Sequence, residues 1–292
     1  MKTGRARKKP PLRLVSSSRR KASDALIQYR LERITKIFPR HQVAIDGIDL
    51  EVRKGEKVAL IGPSGAGKTT LFRMLNCTLR PTSGRLCIHG ENVETLHGRP
   101  LRQMRRRIGT VYQQHNLVPR LRVIHNVLSG QLGRWSTLRS LISLVRPSDI
   151  QLAYDALMRV GIEDKIFTRT DELSGGQQQR VAIARVLIQN PEVILADEPV
   201  SSVDPSLAQT IIRLLLDISD CMQKTLLMSL HSVDLALAYF PRVIGIKKGK
   251  AIFDLSPDKI SEDLLADLYS AHLPSFEEEK TPDEESRSPV YQ

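Results

Sequence analysis

The sequence predicts an α/β protein: a parallel sheet layered with helices, a small antiparallel sheet near the start, and an inserted block of helices. Three observations predict it. Short apolar runs at residues 57–61, 108–112, 193–196, 225–228 and 243–246 alternate with helix-like stretches, notably 207–218. That is the pattern of strands buried on both faces. Two earlier segments, 27–34 and 43–52, instead alternate apolar and polar residues, the period of half-buried antiparallel strands. Residues 121–132 and 150–160 space their apolar side chains three and four apart, so the region of about 114–172 reads as helices inserted into the sheet.

The chain has 292 residues and is 41% hydrophobic, enough to bury a large core. No apolar run is long enough for a membrane span, and the basic N-terminus lacks the apolar segment of a secretory signal. Cys77, Cys87 and Cys221 are far apart with no paired spacing, which suits reduced thiols in a cytosolic protein. The net charge of +12 is uneven: residues 1–21 hold nine Lys/Arg and no acid, and residues 276–292 hold six acids against two bases. Residues 1–25 and 269–292 are therefore expected to be disordered basic and acidic tails flanking one domain at 26–268. A basic tail could also touch anionic lipid or nucleic acid.

Gly62, Pro63, Ser64, Gly65, Ala66, Gly67, Lys68 and Thr69 fit G-x-x-x-x-G-K-[ST], follow a strand and open an apolar helix from Thr70. Glycines let backbone N–H groups turn inward around phosphate oxygens, and the helix N-terminus adds positive potential. Lys68 is expected on the β and γ phosphates and the Thr69 hydroxyl on Mg²⁺. A plain glycine-rich turn would not require Lys followed by Thr. The fold is thus expected to be a P-loop NTPase (RecA-like) core.

Residues 193–196 run into Asp197, Glu198 and Pro199. Acids ending a buried strand need a cation or hydrogen bonds, and beside a phosphate loop Mg²⁺ is the natural partner of Asp197. Glu198, pointing the other way along the strand period, is free to orient or deprotonate the attacking water. His231 ends the next apolar run; alone, a histidine there reads as structural.

Leu173, Ser174, Gly175, Gly176 and Gln177, about twenty residues ahead of the acidic strand end, closely resemble the signature of ABC ATPases. The same residues also read as a Ser-capped helix start. The resemblance extends over residues 26–268 and implies further roles. It makes Glu198 the catalytic glutamate and His231 the switch histidine. Gln113, with Gln114 as an alternative, becomes the Q-loop glutamine that touches Mg²⁺ and water, and Asp204 belongs to the loop after the acidic strand, where Val203 replaces the more usual Leu. Phe38 would stack on adenine. It also implies a head-to-tail homodimer in which Ser174–Gln177 of one copy close over ATP held by the other. Two transmembrane permease subunits and a solute-binding protein would complete an importer, with this chain peripheral on the cytoplasmic face of the inner membrane and no nucleic acid involved.

Gly130-Gln-Leu-Gly133 with Trp135, the doubled glutamine at 113–114, the stretch 194–205 and residues 230–237 followed by 242–245 most resemble ATP-binding subunits of phosphonate and phosphite importers. Importers of other small polar solutes are the alternative. A soluble ABC ATPase on nucleic acid would suit the +12 charge, but such proteins carry two cassettes or long coiled coils. A non-catalytic regulator would not need Lys68, Asp197, Glu198 and His231 together.

Overall fold

The computed structural model describes residues 26–270 apart from 146, 148 and 202; the expected basic tail, residues 1–25, and residues 271–292 of the expected acidic tail lie outside the described residues, while Tyr269, placed in that tail, ends a helix. The elements in chain order are β1 (Ile27–Phe38), β2 (Gln42–Arg53), β3 (Lys57–Ile61), α1 (Lys68–Leu75), β4 (Ser83–Ile88), β5 (Glu91–Asn92), α2 (Gly98–Arg106) and β6 (Ile108–Tyr112). Then follow α3 (Val123–Leu128), α4 (Thr137–Val145), α5 (Ile150–Arg159), α6 (Gly175–Gln189), β7 (Val193–Asp197) and α7 (Pro205–Cys221). β8 (Thr225–Ser229), α8 (Val233–Tyr239), β9 (Arg242–Lys247), β10 (Lys250–Leu255) and α9 (Glu262–Tyr269) complete the fold.

Two sheets result. The first is antiparallel in the order β2-β1-β4-β5; the second runs β10-β9-β3-β8-β7-β6 and is parallel except for the β9–β10 pair. The continuous apolar runs are explained by burial on both faces. Ile194, Ala196, Leu226 and Met228 enter a core shared with α3, α5, α6 and α7. Their neighbours Val193, Leu195 and Leu227 enter a second core with α1, α2 and the antiparallel sheet. Successive side chains of one strand thus fill opposite layers.

Six strands and helices were not legible from local pattern: β4, β5, α2, α4, β10 and α9. β4 has only three apolar residues, Leu86, Cys87 and Ile88, after an exposed start, and only Met104 of the polar α2 is buried. The apolar run at 121–132 is not one helix: α3 gives way to a tight 3₁₀ turn at Ser129–Gln131. Gly130 sits there because a Cβ would come within 2.3 Å of the Arg185 carbonyl on α6.

Register decides where the site forms. Tyr112 pairs with Asp197, and Asp197 pairs with Ser229, so the carboxyl ends of β6, β7 and β8 stand side by side. Ser229 also pairs with Leu60 at the end of β3, directly before the glycine-rich loop.

Candidate nucleotide-binding site

The loop between β3 and α1 is a backbone structure first. Gly62 has φ 150° and a Cβ there would lie 2.0 Å from the Ile246 carbonyl; Gly67 has φ 110° and would meet the Ala44 carbonyl at 2.5 Å. Neither position admits a side chain without displacing backbone. Gly67 caps α1 with no side-chain cap hydrogen bond, and the start of that helix borders a cavity of about 440 Å³. Phe38, Ser64–Thr70, Glu198 and His231 line this cavity together with Gln42, Val43 and Ala44. Phe38, the expected adenine-stacking residue, borders the same cavity as the loop, and its ring carries Lys36 Nζ at 5.5 Å. Tyr29, by contrast, is fully buried, and its hydroxyl donates to the Leu75 carbonyl at 3.2 Å.

Lys68 folds back over the loop. Its ammonium donates to the carbonyls of Gly62 (2.7 Å) and Pro63 (3.3 Å) and lies 3.8 Å from Glu198 Oε1. Burial pushes its pKa below the usual lysine value, and the Glu198 and Asp197 carboxylates work against that shift.

Glu198 departs from the expected strand alternation. β7 ends at Asp197, and Glu198 has φ 50°, a left-handed conformation that costs energy for a non-glycine residue. The turn, rather than the strand period, aims its carboxylate. Oε2 lies 2.8 Å from His231 Nε2, and the Glu198 amide donates to Ser229 Oγ at 2.8 Å.

Asp197 Oδ1 accepts from Ser229 Oγ at 2.9 Å and from Thr69 Oγ1 at 3.4 Å. Burial raises its carboxyl above the usual range; Glu198 adds to the rise, while the Ser229 and Thr69 hydrogen bonds and Lys68 oppose it. A buried carboxylate beside a threonine hydroxyl, both facing a phosphate loop, is a donor set that fits Mg²⁺. Thr69 and Asp197 also border a neighbouring cavity of about 310 Å³ with Gln113 and Gln114, so both glutamines reach the same face.

Ser229 is the site residue the sequence reading missed. It ends an apolar run, and its significance rests on β8 lying between β3 and β7. A lone serine at the carboxyl end of a fully buried strand was the available signal. Ser174–Gln177 and Asp204 line neither cavity. Ser174 accepts from the Gln177 amide while the Gln177 side chain accepts from the Ser174 amide, a reciprocal capping box at the start of α6. Asp204 caps α7 by accepting from the Leu207 amide at 2.9 Å.

The model of the ABC transporter family matches residues 45–201, which span the loop, the capping box and the acidic strand end. The chain belongs to the ABC transporter family. This ABC ATPase is 47% identical over 227 residues to the phosphonates import ATP-binding protein PhnC of Pseudomonas putida, covering 78% of this chain and 84% of that one. It is 43% identical over 240 residues to PhnC 2 of Halalkalibacterium halodurans, covering 82% and 98%. A bacterial ABC transporter cassette solved as a dimer matches with a TM-score of 0.69 at 31% identity, over 78% of this chain and 98% of that one. The same cassette bound to ADP and Pi after hydrolysis matches at 0.67 and 30%, with the same coverage. CbiO1 of Clostridium perfringens, part of an ABC transporter complex, matches at 0.70 and 28%, covering 83% and 94%. The ABC ATPase binds ATP, and no helix among its described residues is long and apolar enough to cross a membrane.

Proposed function

We propose that this chain is the ATP-hydrolysing subunit of an importer for phosphonates or phosphite, acting as a head-to-tail dimer on the cytoplasmic face of a separate permease. The observation that carries the catalytic part is the convergence of Lys68, Glu198 and His231 on one cavity at the start of α1. The names of the relatives support the substrate class.

The loop amides and Lys68 bind the triphosphate: the ammonium exchanges its carbonyl partners for β and γ oxygens, which are stronger acceptors. Phe38 offers a ring to the adenine. Thr69 and Asp197 would hold Mg²⁺, with Gln113 beside them on the same cavity, and the ion would supply charge neutralisation for the phosphates. Glu198 orients the attacking water and takes its proton. His231 holds Glu198 through Nε2 and can turn its ring toward the γ-phosphate. Ser229 fixes both neighbours, giving its proton to Asp197 and accepting the Glu198 amide.

Ser174–Gln177 and Asp204 stand apart from the cavity of their own chain, which supports their acting on the partner copy's nucleotide. The capping box engages the Ser174 and Gln177 amides, leaving those of Gly175 and Gly176 for an anion from outside. ATP then acts as the adhesive between copies, and hydrolysis releases them. The helical block after Gln113 offers the contact for a permease, which delivers solute handed over by a binding protein.

Deleting the gene and supplying methylphosphonate or phosphite as sole phosphorus source tests the substrate. Growth should stop on these sources and continue on phosphate; unchanged growth on both would assign another cargo.

A further inference from the structure

A cavity of about 570 Å³, larger than either part of the nucleotide site, lies between α2, the turn after α3 and α6. Arg102, Arg105, Arg106, Arg134 and Arg185 line it beside Trp135, and no Asp or Glu does. None of the five guanidinium groups forms an ion pair among the described residues, whereas the neighbouring Arg139 pairs with Asp149 at 2.9 Å.

Three of the five are held in place by backbone. Arg105 donates through Nε and Nη2 to the Cys77 carbonyl at 3.2 and 2.7 Å. Arg134 donates to the Gln189 carbonyl at 2.9 Å. Arg185 donates to the carbonyls of Asn116 and His115 at 2.6 and 2.8 Å. Carbonyls fix these groups without cancelling their charge. Arg102, Arg105 and Arg106 share one face of α2 at spacings of three and four, where like charges repel. A cavity lined by five arginines without ion-pair partners, and by no acid, has the electrostatic form of an anion site. Guanidinium matches tetrahedral oxyanions through paired N–H donors.

We propose that this cavity is a second ligand site, distinct from the nucleotide loop, that binds a phosphorus oxyanion: phosphate or a small organophosphonate. The volume leaves room for an organic substituent against the Trp135 ring. Choosing phosphonate as ligand rests on the importer reading, in which it is the delivered product; the anion site itself does not. Because Arg185 joins the cavity to the backbone just after Gln113, occupancy would bear on the segment that links the helical block to the nucleotide.

Trp135 is the only tryptophan in the chain, so its fluorescence reports this cavity alone. The full chain is titrated with potassium phosphate and with methylphosphonate, against potassium chloride at matched ionic strength. A saturable change is expected with both oxyanions and not with chloride. It should persist in Lys68→Ala, where the nucleotide loop is disabled. It should weaken at least tenfold in the Arg102→Ala/Arg106→Ala variant, whose substituted side chains are both exposed and whose basal ATP hydrolysis stays at the parent level. A response lost in Lys68→Ala, or equal with chloride, overturns the proposal. So does tighter binding by a hexaglutamate peptide than by either oxyanion, which would make the cavity a dock for an acidic protein segment. An oxyanion response in a strain that grows normally on phosphonate without the gene would keep this site and remove only the importer reading.

Discussion

His231 Nε2 lies 2.8 Å from Glu198 Oε2, a contact between side chains from the ends of two adjacent parallel strands. Its other neighbour, Lys68 Nζ, is 3.8 Å from Glu198 Oε1. The carboxylate of Glu198 is thus held on both oxygens, by a histidine and by the phosphate-loop lysine, in the form a positioned base requires.

Glu198→Gln keeps the shape and hydrogen-bonding reach of the side chain and removes its basicity. ATP binding should persist, hydrolysis should fall by about 10²–10⁴-fold, and a dimer should accumulate. Radiolabelled turnover and size-exclusion chromatography with ATP measure both; rapid turnover with a monomeric profile would falsify the assignment.

Lys68→Ala removes the buried cation that the proposed function places on the phosphates. A charged hydrogen bond contributes about 1.5–3 kcal/mol, so ATP affinity should drop by roughly tenfold to a hundredfold, with hydrolysis lost. Unchanged affinity by calorimetry would count against the phosphate-loop role.

Asp197 and Thr69 together predict a strict divalent-cation requirement. EDTA should abolish turnover and Mg²⁺ restore it. Asp197→Asn, which keeps an acceptor for Ser229 but drops the charge, should raise the Mg²⁺ concentration needed for half-maximal rate. A variant with the parent Mg²⁺ dependence would show that the ion binds elsewhere.

Ser174→Ala breaks the capping box of α6. The helix cap contributes about 1 kcal/mol, visible as a lower midpoint in urea. ATP-dependent dimerisation should fail by more than that loss explains, because the proposed dimer places the same hydroxyl on the partner copy's nucleotide. Normal dimerisation in a merely less stable variant would reduce Ser174 to a cap.

Burial pushes the His89 imidazole down to about 4, against the pull of the Glu192 carboxylate 3.0 Å away. The folded protein therefore binds this proton less readily than the unfolded chain, whose histidine titrates near about 6.5. Its contribution to stability is complete above that value and declines as pH falls toward about 4, at up to ~1.4 kcal/mol per pH unit. In urea titrations across this window, His89→Gln should show a shallower acid-side decline than the parent. Parallel curves would exclude the neutral buried histidine.

The sequence by itself determined the strands of the parallel sheet, the glycine-rich loop, the Ser174 helix cap and the acidic strand end. Each is written in contiguous residues: apolar runs buried on both faces, glycines where a Cβ would strike backbone, and Ser174 three residues ahead of Gln177. It could not show that Ser229 bridges Asp197 and Glu198, because that depends on strands 32 and 31 residues apart lying in register. Nor could strand alternation give the direction of Glu198, which a left-handed turn sets. The five-arginine cavity was equally hidden, since its members come from α2, the turn after α3 and α6 and meet only when the helical block packs on the sheet. Local pattern encodes what a segment buries; which polar groups face one another is decided by strand order and packing, where desolvation and close approach give each pairing its energy.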